Sequence, residues 1–191
     1  MPMDNKKNVA LLVMDQQNVL INGISEDPDS HLANAKTIIN AARKAGVTII
    51  YIVVGFRDGY PEISHNNKMF NSVRDNGILE LSNESSKICS SIKPHESDIV
   101  IVKKRVSAFE GTELATILRA KKIDELAMFG VTTSGVVLST VRIAADLDYK
   151  ITVISDLCID RDNTVNNFLL AKVFPAQCEV INQNEFMGSL V

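Results

Sequence analysis

The stretch Glu125–Ser155, ELAMFGVTTSGVVLSTVRIAADLDYKITVIS, decides the architecture of this chain. Glu125–Gly130 is a short apolar run, and Lys150–Ser155 is a β-branched one. Both read as strands buried on two faces. Between them, Thr133–Leu147 has helical spacing and opens on Thr133 or Ser134, either of which is a candidate N-terminal cap. A strand, a helix and a strand in that order form a parallel pair joined by a right-handed crossover. The same unit recurs in both directions. Val9–Met14, Val47–Val54 and Asp98–Lys103 read as further strands, as does Cys178–Ile181 near the C-terminus. Helical patterns cover His31–Ala45, which stops at Gly46, then Thr112–Ala120, and Thr164–Val173, which halts near Pro175. The expected fold class is α/β, with three layers and a roughly six-stranded parallel sheet between helices. One domain is expected over residues 1–191.

Composition narrows the function. Apolar residues make up 46% of the 191 residues and the formal net charge is −3, so no global positive field exists to hold nucleic acid. The densest basic group is Lys103, Lys104 and Arg105, too small for a nucleic-acid patch. Aromatic residues are only 5% and Trp is absent, which argues against stacking platforms for single strands. No apolar run is long enough to span a bilayer, so no membrane partner is expected. MPMDNKKN runs into the first strand without a separate apolar signal region. A cytoplasmic location is therefore expected. Cys89, Cys158 and Cys178 are odd in number and widely spaced, which favours reduced thiols.

In open parallel sheets, ligands bind outside the carboxyl ends of the strands, where the strand order reverses. Asp15, Gly55–Arg57, Lys103 and Val131–Val136 all follow strand ends. A carboxylate at Asp15 would sit in low-dielectric surroundings that raise its pKa unless a cation compensates, and Lys103 could be that cation. Taken alone, each is equally readable as a solvated strand-end charge. Phe56–Glu96 is long for a connection in a compact domain. It is expected either to cover the site or a subunit interface, or to be a plain surface excursion, with a short helix near Ser82–Ile92.

Three runs at these strand ends carry a resemblance. LLVMDQQN (Leu11–Asn18) resembles the first motif of the isochorismatase-like, or cysteine hydrolase, family: an apolar strand ending in Asp-x-Gln-Asn. KKRVSAFEGTEL (Lys103–Leu114) resembles the second, in which a lysine stands four residues before Ser-Ala-Phe. That spacing selects Lys103 over Lys104. FGVTTSGVVLSTVRIAADLDY (Phe129–Tyr149) resembles the third, a strand, tight turn and helix start. The resemblance covers roughly residues 8 to 186.

It implies a Rossmann-like parallel sheet, a homo-oligomer (dimer or tetramer), and hydrolysis of a small-molecule substrate. Family members cleave small amides and ureido or carbamoyl compounds, and isochorismatases cleave a vinyl ether. Asp15 matches the family's acid/base and Lys103 its lysine. The nucleophilic cysteine should stand six residues after Gly130, and that position is Val136. Valine has no lone pair and forms no acyl intermediate. The resemblance also implies a cis peptide at Val131–Thr132, with the backbone amides of Thr132 and Val136 as an oxyanion site. Two readings follow. One is a hydrolase using Asp15 as general acid/base with Lys103 and no cysteine nucleophile. The other is a non-catalytic, ligand-binding relative.

Ser134 and Cys158 are weaker substitutes for the missing nucleophile, readable instead as a helix cap and a buried thiol. Candidate substrate contacts are Gln17, Arg57, Tyr60 and Phe109. Arg57 can grip a carboxylate through two parallel bonds or make a surface ion pair. Phe109 can wall a pocket or fill the core. Gln17 can orient a substrate or the Asp15 loop. No two of His31, His65 and His95 have local ligand spacing, so no metal is expected. No Gly-x-Gly-x-x-Gly run follows the first strand, so no dinucleotide is expected, and the chain calls for no cofactor.

Overall fold

A computed structural model of the chain describes residues 8–190. The signal-region reading of MPMDNKKN falls almost wholly outside that range. Six strands form one sheet: β1 (Val9–Met14), β2 (Thr48–Val54), β3 (Ile99–Lys103), β4 (Glu125–Gly130), β5 (Lys150–Ile154) and β6 (Glu179–Ile181). Their order is β3-β2-β1-β4-β5-β6, and every pairing is parallel. The α/β class and strand number match the expectation from the sequence.

β1 lies at the centre because its sequence permits nothing else. Ala10 to Met14 are fully buried on both faces, so β1 must be flanked by strands and covered by helices. Its neighbours are β2 and β4, with Leu12 opposite Ile50 on one side and Met128 on the other. The strand order reverses between β1 and β4, and their carboxyl ends open the crevice where such sheets hold ligands.

Helices α1 (Asn18–Ile24), α2 (Pro28–Lys44), α3 (Lys68–Asp75), α4 (Leu114–Ala120), α5 (Leu138–Asp146), α6 (Asn163–Phe168) and α7 (Gln183–Ser189) complete the layers. In α2, Asp27 caps the Ser30 amide and Pro28 begins the first turn, both favourable at a helix start. The buried stripe Ala35, Ile38, Ile39 and Ala42 has the 3.6-residue period of a helix facing a core. Gly46 ends the helix at φ +80, a conformation that suits a residue without Cβ.

Several local expectations are corrected. Residues Ser82–Ile92 form two 3₁₀ turns, Glu84–Ser86 and Ser90–Ile92, and the α-helix of this connection is α3, capped by Asn67. The third-motif helix does not start on a Thr133 or Ser134 cap. It opens as a π-helical turn, Thr133–Val137, behind Thr132, with no side-chain cap. The Thr164–Val173 helix is α6 followed by a second π-helical turn, Leu169–Val173. α1 and α7 were not foreseen. Among the described residues, no helix is long and apolar enough to cross a membrane.

Leu12 is fully buried at the middle of the central strand. Leu12→Ala is expected to lower unfolding free energy by about 3–4 kcal/mol, through lost burial and the cavity left behind. Urea denaturation read by circular dichroism checks this value.

Candidate active site at the carboxyl edge of the sheet

Asp15 follows β1 at φ 55, which turns its side chain out of the strand's alternation. Its amide donates to the Ile52 carbonyl at 2.8 Å, fixing the turn against β2. Lys103 ends β3, two strands away, and its side chain passes the end of β2. Lys103 Nζ lies 2.9 Å from Asp15 Oδ2, with both side chains at most 5% exposed. Nζ also donates to the Arg105 carbonyl at 3.2 Å. Asp15 Oδ1 is buried and has no hydrogen-bond partner. Burial raises the Asp15 pKa, and the neighbouring Lys103 charge opposes that rise. The result is a carboxyl group that keeps its proton to higher pH than an exposed aspartate does.

The residues after Asp15 lock this geometry. Gln17 is fully buried; its Oε1 accepts from the Val54 amide at 2.9 Å. Its Nε2 donates to the Val54 carbonyl at 2.8 Å and to the Ser86 carbonyl. Both donor hydrogens are thus engaged by backbone, so Gln17 orients the loop rather than reaching for a ligand. Gln16 donates to the Met14 carbonyl at 3.2 Å, and its Oε1 lies 2.8 Å from His31 Nε2. Burial holds the His31 pKa down to about 4, so the ring is neutral at pH 7.

The turn after β4 supplies the other wall. The Val131–Thr132 peptide is cis. The Gly135 and Val137 amides both donate to the Thr132 carbonyl, at 3.2 and 3.3 Å. The Thr133 amide donates to Ile159 at 3.0 Å, and the Ser134 amide donates to the Asp160 carboxylate at 2.7 Å. Among the described residues, neither the Thr132 nor the Val136 amide has a backbone partner outside this turn. A Cβ at Gly135 would lie 2.6 Å from Thr132 Oγ1, so any larger residue there would have to displace the Thr132 side chain. Val136 is 2% exposed. A Cβ on Gly130 would meet Val136 Cγ1 at 3.2 Å and Met14 Cβ at 2.9 Å, so both side chains close on Gly130 and leave no room for a larger residue there.

The remaining candidates are distributed differently. Phe109 is buried in the main core, its ring 6.0 Å from that of Tyr149. The Tyr60 hydroxyl donates to the Ile78 carbonyl at 3.0 Å, and its ring packs on Phe56. Tyr60 therefore anchors its loop, and its hydroxyl hydrogen is already placed. The Arg57 side chain is 74% exposed and pairs with Glu62 at 3.4 Å. Ser134 faces solvent, and burial pushes the Cys158 thiol up to about 12, so neither stands in for a nucleophile. Among the described residues, no three His, Cys, Asp or Glu side chains converge as a metal-holding group. Asp160 and Gln16 escaped the sequence reading, and His31 was weighed there only as a metal ligand. Their roles depend on contacts across the fold, and no local pattern signals them.

With this geometry in view, the similarities to known proteins are informative. Residues 9–185 match the isochorismatase domain family. The chain is 28% identical over 169 residues to a ureidoacrylate amidohydrolase of Agrobacterium fabrum, an alignment covering 82% of this chain and 70% of that protein. The matches to proteins of that name from Rhizobium rhizogenes and Enterobacter sp. cover 65% and 60% of their lengths, so the chain spans about two thirds of these relatives. The cysteine hydrolase of Pseudomonas syringae pv. phaseolicola superposes with a TM-score of 0.89 at 22% identity, covering 100% of this chain and 97% of that one. The N-carbamoylsarcosine amidase of Thermoplasma acidophilum superposes with a TM-score of 0.75 at 25% identity, covering 93% and 97%.

His31 yields a pH prediction. Its pKa falls from 6.5 in the unfolded chain to about 4 in the fold. Between those values the unfolded state takes up a proton that the folded state refuses. The stability is fully present above pH 6.5 and is lost as pH falls toward 4. Wild type is expected to lose about 2–3 kcal/mol more than His31→Gln between pH 7 and 4.5, read by urea titrations of both proteins.

Proposed function

This chain belongs to the isochorismatase family, and from that premise we propose that it hydrolyses a small molecule without a covalent enzyme intermediate. Asp15 is the general acid/base, Lys103 sets its charge balance, and the Thr132 and Val136 amides receive a developing oxyanion. The observation that carries this reading is the buried contact of 2.9 Å between Asp15 and Lys103. A buried ion pair gains a fold little stability and costs several kcal/mol in desolvation, so its presence beside the switch point of the sheet favours chemistry.

The relatives named ureidoacrylate amidohydrolase and N-carbamoylsarcosine amidase point to a carbonyl C–N bond as the target. In the proposed reaction, Asp15 as carboxylate takes a proton from water as its oxygen bonds to the carbonyl carbon. The carbonyl oxygen gains negative charge, opposed by the two amides and the positive end of the turn. The intermediate then expels the amine, and Asp15 returns the proton to the leaving nitrogen. The protonated form of Asp15 would also serve vinyl ether cleavage, which begins with proton donation. Gln17 and Tyr60 hold loops around the site, Phe109 backs it from the core, and Arg57 stands at its rim. The protein acts in the cytoplasm as a homo-oligomer in this reading.

Val136 supports a second reading, in which the pocket binds a small ligand and performs no chemistry. A buried hydrocarbon at the nucleophile position removes the covalent route outright.

Turnover separates the two. In a screen of ureido acids, N-carbamoyl amino acids, amides and one vinyl ether, Asp15→Asn is expected to lower kcat by about 10²–10⁴-fold. Asparagine tolerates the positive φ at this position, so the fold is retained. Equal turnover in the two proteins would remove Asp15 from the mechanism, and saturable binding without turnover in wild type would establish the second reading. Val136→Cys is expected to create a thiol of lowered pKa beside Lys103 and the turn amides. At pH 7, iodoacetamide should label it faster than Cys89, Cys158 or Cys178, all of which burial pushes up. Peptide mass spectrometry reads the order, and equal labelling would remove position 136 from the site.

A further inference from the structure

The basic run Lys103-Lys104-Arg105 has one member in the Asp15 pair and two without a role so far. Lys104 turns the opposite way from Lys103, and its ammonium donates to the Gly55 carbonyl. Arg105 Nη1 donates to the Glu62 carbonyl at 3.2 Å, while the Arg105 carbonyl accepts from Lys103 Nζ at 3.2 Å. Arg105 is thus the direct link between the buried pair and the loop carrying Glu62.

Two cations share the Glu62 carboxylate at long range, while Arg105 holds the Glu62 main chain. Arg57 Nη1 approaches Oε1 at 3.4 Å and Lys104 Nζ at 3.9 Å, with the Glu62 side chain only 14% exposed. Oε1 is buried without a hydrogen-bond partner, as is Asp15 Oδ1. Burial lowers the Lys104 pKa, Glu62 opposes that, and Arg57 lowers it further, so the two cations repel across this space. The nearby acids are occupied elsewhere: Asp58 accepts from Ser82 at 2.9 Å, and Glu80 accepts from the Gly59 amide at 3.4 Å. The loop between Arg57 and Glu62 turns through Gly59 and Tyr60, both at positive φ.

We infer that Arg57, Lys104 and Arg105 form a subsite for a carboxylate on the substrate, and that Glu62 occupies it in the free protein as a placeholder. This rests on the proposed reading of the Asp15–Lys103 site and names the substrate class: a small acid whose reacting carbonyl is separate from its carboxylate. A ligand carboxylate that made short, paired bonds to the guanidinium groups would replace the long contacts of Glu62 and relieve the repulsion between Arg57 and Lys104.

Calorimetry with 3-ureidopropionate and its uncharged methyl ester tests the subsite. Wild type is expected to bind the acid about tenfold tighter than the ester. Arg57→Gln and Lys104→Gln should each weaken the acid by about tenfold and leave the ester unchanged. Glu62→Gln should tighten the acid by at least about threefold, whereas Glu110→Gln, with the same change in net charge on an exposed site, should not. Equal binding of acid and ester by wild type, binding of neither, or weaker acid binding by Glu62→Gln would overturn the inference. Asp15→Asn should retain the preference for the acid. A preference kept by an enzyme without turnover would sink the hydrolase reading and leave the subsite standing.

Discussion

An aspartate and a lysine buried side by side govern the carboxyl edge of this sheet. Neither charge is stable alone in apolar surroundings, so each depends on the other being held within hydrogen-bond distance. The fold meets that condition with three strands. β1 delivers Asp15, β3 delivers Lys103, and β2 lies between them, accepting the Asp15 amide and the Gln17 side chain at its own end. A shift in register of any of the three would separate the charges. The continuous apolar run of β1 and its parallel pairing on both sides therefore position the pair as directly as the charged residues do.

Support for this geometry extends outward in layers. Gln17 closes the loop after Asp15 onto β2 and the Ser86 turn, which explains why the long connection after β2 folds back over this edge. Gln16 and the neutral His31 tie the same loop to α2. On the other side, Asp160 and Ile159 hold the π-helical turn that carries Val136. The Ala108 amide donates to Thr140, which joins the Lys103 segment to α5. Each tie is a hydrogen bond with a defined partner, and the Gln16, Gln17 and Thr140 bonds are buried, the type of contact that fixes one conformation rather than adding much net stability.

The valine at position 136 changes what such a scaffold can do. In the reaction we propose, attack on the carbonyl falls to water, and the Asp15 carboxyl group manages both proton transfers. A raised Asp15 pKa suits that double duty, because a strongly acidic carboxylate would be a poor proton acceptor. Val136 and Met14 both close on Gly130 at this edge.

Periodicity and punctuation in the sequence determined the six strands, the parallel class and the main helices. Those features depend on local spacing and on runs apolar on both faces. Asp15 and Lys103 were legible as charges at strand ends, and it was the resemblance to a family that singled them out together with Val136. The tertiary structure alone decided which polar groups are free. Gln17 and Tyr60 carry side chains suited to a ligand, but backbone groups distant in sequence engage their donors. Asp160, His31 and Glu62 gained their places for the same reason in reverse. Hydrogen bonds and charge crowding depend on what lies opposite in space, and a chain read one residue at a time does not reveal it.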